Sequence, residues 1–181
     1  MAGMPHVSAV ITNLGEELTL VDRFQDALQG EIVRRQELLR ASGGNFANVS
    51  DYEKARRGGR ADLAPLPALL IVADEFSELL AAKPEFIESF INIGRVGRSL
   101  QVHLLLASQR LEEGKLRGLD TYLSYRVGSA RSPPPSRAAC SGVPDAYTLP
   151  QQPGVGFLKS DTETMTQFRG RLRVGHASAS A

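Results

Sequence analysis

Leu66-Pro67-Ala68-Leu69-Leu70-Ile71-Val72-Ala73-Asp74-Glu75-Phe76 is a short unbroken apolar run that ends in two adjacent carboxylates. A run of that length reads as a strand buried on both faces, as in a parallel sheet flanked by helices. The acids then stand at its C-terminal end, the edge where open α/β sheets bind ligands. Nucleotide hydrolysis wants this pairing: one acid holds the magnesium of a bound nucleotide through water, and the next polarises the attacking water. This is the Walker B pattern, with Asp74 as the metal residue and Asp74 and Glu75 as catalytic candidates. The same residues also read as a buried strand followed by an Asp N-cap and a helix.

Working outward, Val102-His103-Leu104-Leu105-Leu106-Ala107-Ser108-Gln109-Arg110 repeats the grammar of an apolar run followed by polar groups. Between the two runs, Ser77 to Ala82 and a second segment opened by Pro84-Glu85 read as helical, the latter with Phe86, Ile87, Phe90, Ile91 and Ile93 on its buried side and Gly94-Arg95-Val96-Gly97-Arg98-Ser99 closing it. Two strands joined by helical segments make a βαβ unit. Ser108 and Gln109 then belong to the same rim as Asp74 and Glu75, and a polar side chain there can hydrogen-bond the attacking water or the terminal phosphate. Gln109 also reads as simply the first loop residue, a reading that the conjunction of the two strands disfavours.

Upstream, Val7-Ser8-Ala9-Val10-Ile11-Thr12 alternates with β-branched residues and reads as a short strand. From about Leu18 to Arg40, apolar residues at Leu20, Val21, Phe24, Ala27, Leu28, Ile32, Leu38 and Leu39 have helical spacing, with Glu31 and Arg35 as an i,i+4 pair on the exposed side. Gly43-Gly44-Asn45 matches a helix C-terminus that needs a left-handed residue, and no Lys-Ser/Thr follows to make it a phosphate cradle. Lys54, Arg56, Arg57 and Arg60 cluster on a short charged helix or loop over Asp51 to Arg60, which reads as a solvated face or a partner-binding patch.

Composition sets the class. The 181 residues are 42% hydrophobic and 23% charged, enough for one domain with a real core. A net charge of +1 gives no basic field for non-specific nucleic-acid binding. One cysteine, Cys140, excludes an internal disulfide, and His6, His103 and His176 have no zinc spacing. No apolar run of about 18 residues and no signal-peptide pattern occur, so a soluble chain in a reducing setting is expected.

Three blocks carry a resemblance: Leu69 to Leu80, Phe90 to Leu100, and His103 to Leu111 with Leu116-Arg117-Gly118-Leu119 after it. They resemble the FtsK/SpoIIIE ATPases, and within them the first ATPase module of the EccC motors of type VII (ESX) secretion. Pro5 to Leu14, Gly30 to Arg40, Gly142 to Tyr147 and Gly154 to Lys159 are similar to that module too, so the likeness covers most of the chain. It implies an α/β, RecA-like P-loop NTPase core, with a mostly parallel sheet flanked by helices. It also implies ATP and Mg2+ as ligands, Asp74 serving the magnesium, Glu75 the catalytic water, and Gln109, with Ser108 beside it, sensing the γ-phosphate. Arg95 or Arg98 resembles an arginine that acts across subunits. The implied partners are other subunits of a ring, a hexamer in the parent, further secretion-complex subunits and secreted helical-pair proteins. The setting would be the cytoplasmic face of the membrane, reached through an N-terminal part not present. A DNA translocase and a non-catalytic docking module are the alternatives.

Four departures qualify that likeness. No Gly-x-x-x-x-Gly-Lys-Ser/Thr occurs, so the expected chain is a fragment truncated on the N-terminal side of the module: residues 1–169 as its C-terminal part, without hydrolysis of its own, and with unpaired inner strands. Second, Ser129-Ala130-Arg131-Ser132-Pro133-Pro134-Pro135-Ser136-Arg137-Ala138-Ala139-Cys140-Ser141 replaces a strand end and helix with proline-rich sequence. A displaced and restored reading frame accounts for it, as does a genuine proline-rich loop; the nucleotide sequence separates the two. Residues 170–181 read as an unstructured tail. Gln101 stands where the family tends to have glycine, at a cost of about 1 kcal/mol if the backbone there is left-handed.

Overall fold

The computed structural model describes residues 3–12, 18–109, 118–129, 152, 154–160 and 165–170, and the chain divides into two units, Met1–Ala107 and Ser108–Ala181. The first contains helices α1 (Leu18–Ala41), α2 (Val49–Arg57), α3 (Phe76–Ala82) and α4 (Phe86–Leu100) and strands β1 (Leu69–Ala73) and β2 (Val102–Leu106). β1 and β2 pair in parallel, Leu69 opposite Val102 through Ala73 opposite Leu106, as the βαβ reading expects.

Helical spacing in α1 produces a stripe of Val21, Leu28, Ile32 and Leu39 that is buried, the last three in one core with Val49, Tyr52, Leu66, Ile71, Ile93 and Val102. α1 runs in the same direction as α4. Asp22 meets Lys83, Phe24 stacks on Phe86 with ring centroids 6.0 Å apart, and Gln25 Nε2 donates to Ser89 Oγ at 3.1 Å. At the other end Arg35 lies inside rather than on the exposed side, at 3% exposure. Its Nη1 donates to Leu100 O at 2.8 Å, its Nη2 to Pro67 O at 2.8 Å, and its Nε to Glu31 at 2.7 Å. A buried guanidinium is tolerated only when paired and hydrogen-bonded, and Arg35 is both.

α2 is capped by Asn48, whose side chain accepts from Asp51 N at 2.9 Å. Within the basic cluster, Arg56 and Arg57 pair with Glu53, and Arg60, beyond the helix, pairs with Asp62.

Four expectations are corrected. Val7–Thr12 is not a strand, because among the described residues it has no ladder to join. β1 is covered on one face only: Ile71 is 8% exposed, whereas Leu70 and Val72 are 59% and 47% exposed, as is Leu105 of β2 at 49%. An apolar run suits both faces to burial, but the core residues from α1, α2 and α4 all meet Ile71 and Val102 on one side. Third, Arg35 is buried. Fourth, Gly94 to Ser99 does not close α4, which continues to Leu100. Gly97 is there for contact, since a Cβ on it would lie 2.4 Å from Val102 O. Gln101 ends the helix at φ 52, ψ 42, the left-handed geometry anticipated for that position.

In the second unit a 3-10 turn at Asp120–Tyr122 precedes an antiparallel sheet of β3 (Arg126–Ser129), β4 (Val155–Lys159) and β5 (Met165–Arg169) in that order. Gly170 N donates to Gly154 O at 2.7 Å, with Gly154 at φ +82. Residues 130–141 and 171–181, where the frame slip and the tail were expected, lie outside the described residues. Among the described residues no helix is long and apolar enough to cross a membrane.

Gly97→Ala is expected to lower stability by about 1–3 kcal/mol through overpacking, and Gln101→Gly to raise it by about 1 kcal/mol. Urea unfolding reads both, and an unchanged midpoint for Gly97→Ala would show that α4 does not approach β2 so closely. Glu31 is lowered to about 2 from 4.5, chiefly by the hydrogen bond from Arg34 and then by Arg35. Because the folded value is the lower one, its contribution is complete above pH 4.5 and disappears as pH falls toward 2. Glu31→Gln should therefore flatten the acid limb of a melting-temperature profile; an unaltered limb would refute the assignment.

Candidate functional site

β1 ends at Ala73, where the backbone leaves the extended conformation. Ala107 N donates to Ala73 O at 2.9 Å, and the chain then turns through Asp74 and Glu75 into α3. Phe76, buried at the first position of α3, donates its N–H to Ala107 O at 3.1 Å, and Glu78 N closes the first turn on Glu75 O at 2.9 Å. Asp74 is exposed, with Oδ1 accepting from Glu75 N at 3.1 Å, and Glu75 is half-buried. Glu75 sits at φ 49, ψ 43. A glutamate in the left-handed region costs about 1–2 kcal/mol, and such strain concentrates at functional positions.

This arrangement suits a hard cation that keeps waters and takes only one or two carboxylates, as magnesium does. Among the described residues there is no group of three or more side chains that would cage a metal by itself. Asp74 can hold a water-shelled cation, and Glu75 offers a carboxylate next to it.

The other expected site residues are placed as follows. Ser108 and Gln109 follow Ala107 directly in the chain and begin the second unit; Arg110 lies outside the described residues. Arg95 and Arg98 are exposed in the last two turns of α4, one residue short of β2, so they lie toward the N-terminal end of β2 and the structure does not bring them to Asp74 and Glu75. Arg95 Nη2 donates to Asn92 Oδ1 at 3.1 Å. Sequence reading missed the two backbone bonds of Ala107, which no side-chain pattern encodes.

The FtsK/SpoIIIE family model matches residues 1–113. The ESX secretion system protein EccC of Thermomonospora curvata is 64% identical over 169 residues, covering 93% of this chain and 13% of that protein. The ESX-4 secretion system protein EccC4 of Mycobacterium tuberculosis is 54% identical over 184 residues, covering 99% and 15%. The solved cytoplasmic domain of the T. curvata type VII secretion ATPase EccC superposes with a TM-score of 0.84 at 63% identity, over 93% of this chain and 19% of that one. The pCW3 conjugation coupling protein TcpA, at 22% identity and a TM-score of 0.67 over 84% of this chain and 44% of that one, shares the fold. The chain thus spans about one seventh of the length of these curated relatives.

If Glu75 is strained for function, Glu75→Gly should raise the stability of the chain by about 1 kcal/mol. Thermal unfolding decides it, and a lower melting temperature would show that the carboxylate holds the turn together.

Proposed function

The chain belongs to the FtsK/SpoIIIE family, with an α/β, RecA-like P-loop ATPase fold, and on that premise we propose that it is the C-terminal part of an ATP-hydrolysing module of a type VII secretion motor. The observation that carries this reading is the acid pair at the C-terminal end of β1, with Ala73 level with Leu106 on β2 and Glu75 in a strained conformation. The identity to secretion-system EccC proteins supports the choice of secretion over DNA translocation.

In this reading Asp74 is the residue that would hold magnesium, which when bound would screen the phosphate charge. Glu75 accepts the proton of the attacking water and orients it. Gln109, with Ser108 before it, senses the terminal phosphate, and Arg95 or Arg98 serves the site of a neighbouring subunit, which accords with their distance along the fold from Asp74 and Glu75. The phosphate loop comes from sequence before Pro5, so the 181 residues alone bind nucleotide poorly. Ring assembly, a position at the cytoplasmic face of the membrane and export of helical-pair proteins belong to the longer parent.

The test compares this chain with one extended upstream through a phosphate loop. Only the extended chain should bind a fluorescent ATP analogue with magnesium. In it, Glu75→Gln should keep binding while hydrolysis falls by about 10²–10⁴-fold, the usual range for loss of a positioned base. Comparable binding by the short chain, or undiminished hydrolysis by Glu75→Gln, would overturn the proposal; a docking module would show neither activity in either form.

A further inference from the structure

We propose that the main chain of Ala107 is a positioning element for Glu75, holding the carboxylate in place by clamping the backbone on both sides of the acid pair. Ala107 donates to Ala73 O at 2.9 Å, before the acids, and accepts from Phe76 N at 3.1 Å, after them. The two bonds span a stretch in which Glu75 takes a conformation that an isolated glutamate avoids, φ 49 and ψ 43. Two further bonds lie within the turn, Asp74 Oδ1 accepting from Glu75 N at 3.1 Å and Glu78 N donating to Glu75 O at 2.9 Å. Neither fixes where the turn stands relative to β2. Asp74 Oδ1 lies on the adjacent residue, and the Glu78 bond belongs to the first turn of α3. The Phe76 bond ties the exit of the turn to the residue that follows β2. Phe76 is buried and is the first residue of α3, where a helix leaves its amides without partners of its own, so its N–H is available for a bond outside the helix. Ala107 closes the first unit, and Ser108 and Gln109 continue from it, so the residue that clamps the acids is also the one from which the proposed sensor segment departs.

The chemical role of Glu75 rests on the function proposed above, whereas the clamp is a statement about backbone geometry and can be tested without nucleotide. In the isotopically labelled 181-residue chain, a through-hydrogen-bond coupling between the Phe76 amide nitrogen and the Ala107 carbonyl carbon is expected by NMR; its absence would overturn the proposal. Replacing residue 76 by the corresponding hydroxy acid removes its N–H and keeps the ring. The backbone shifts of Glu75 should then leave their left-handed values, while the same exchange at residue 78, which removes the bond to Glu75 O, should leave them in place. Left-handed shifts that survive at 76, or that are lost equally at 78, would assign the geometry to the helix start and refute the clamp. In the chain extended through a phosphate loop, the exchange at 76 should lower kcat by about 10²-fold, as for a displaced catalytic group, with nucleotide affinity unchanged. A loss of affinity equal to the loss of kcat would mean a merely structural bond. If Glu75→Gln fails to slow hydrolysis while the coupling and shifts behave as stated, the functional reading falls and the clamp stands.

Discussion

Parallel strands cannot be joined by a tight turn; their pairing has to be imposed by what crosses between them. Here α3 and α4 make that crossing, and five Cα pairs keep Leu69 to Ala73 level with Val102 to Leu106. The ladder is extended at both ends by main-chain bonds, Leu69 N to Gln101 O at one and Ala107 N to Ala73 O at the other. Arg35 ties the first of these ends to α1 through the carbonyls of Leu100 and Pro67, and so fixes where β1 begins and where α4 stops. With that end fixed, Asp74 and Glu75 come out level with the end of β2.

The two residues that flank this arrangement, Gln101 and Glu75, are both left-handed and neither is glycine. They bear the strain for different reasons. Gln101 lies at a helix-to-strand turn, where glycine would serve better, and its Nε2 has only a long contact of 3.4 Å to Ser50 Oγ. Glu75 belongs to the acid pair at the end of β1, and under the proposed role glycine there would relieve the backbone and remove the carboxylate that the role needs. One conformational energy acts on two side chains, and glycine would relieve it at either position.

Much of the first unit could be read from the residues, because it is built from local signals. The acid pair after an apolar run, the heptad-like spacing of Val21, Leu28, Ile32 and Leu39, and the glycine pair after α1 each state an element by themselves. What escaped depends on partners distant in sequence. Leu70 and Val72 are as apolar as Ile71, and only the placement of the helices decides which of them is covered. Arg35 has a charged neighbour at helical spacing, which suggests an exposed pair until the carbonyls of Leu100 and Pro67 are seen to satisfy it within the core. Val7–Thr12 has strand composition, and among the described residues it meets no strand to pair with. The antiparallel sheet was not foreseen because its strands are short and a long proline-containing segment of sequence lies between β3 and β4. Asp74 and Glu75 were legible as residues; the geometry of Glu75 was not, since composition carries no sign of φ.

Gly97 has a consequence for how such a sequence can drift. Most crowded core positions can accept a larger side chain once a neighbour has become smaller, so their histories are linked in pairs. The atom that faces Gly97 is the carbonyl oxygen of Val102, which every amino acid carries. No exchange of the neighbouring side chain can clear that space, and a lineage that holds this helix against this strand keeps its glycine at 97 without any compensating partner elsewhere in the chain.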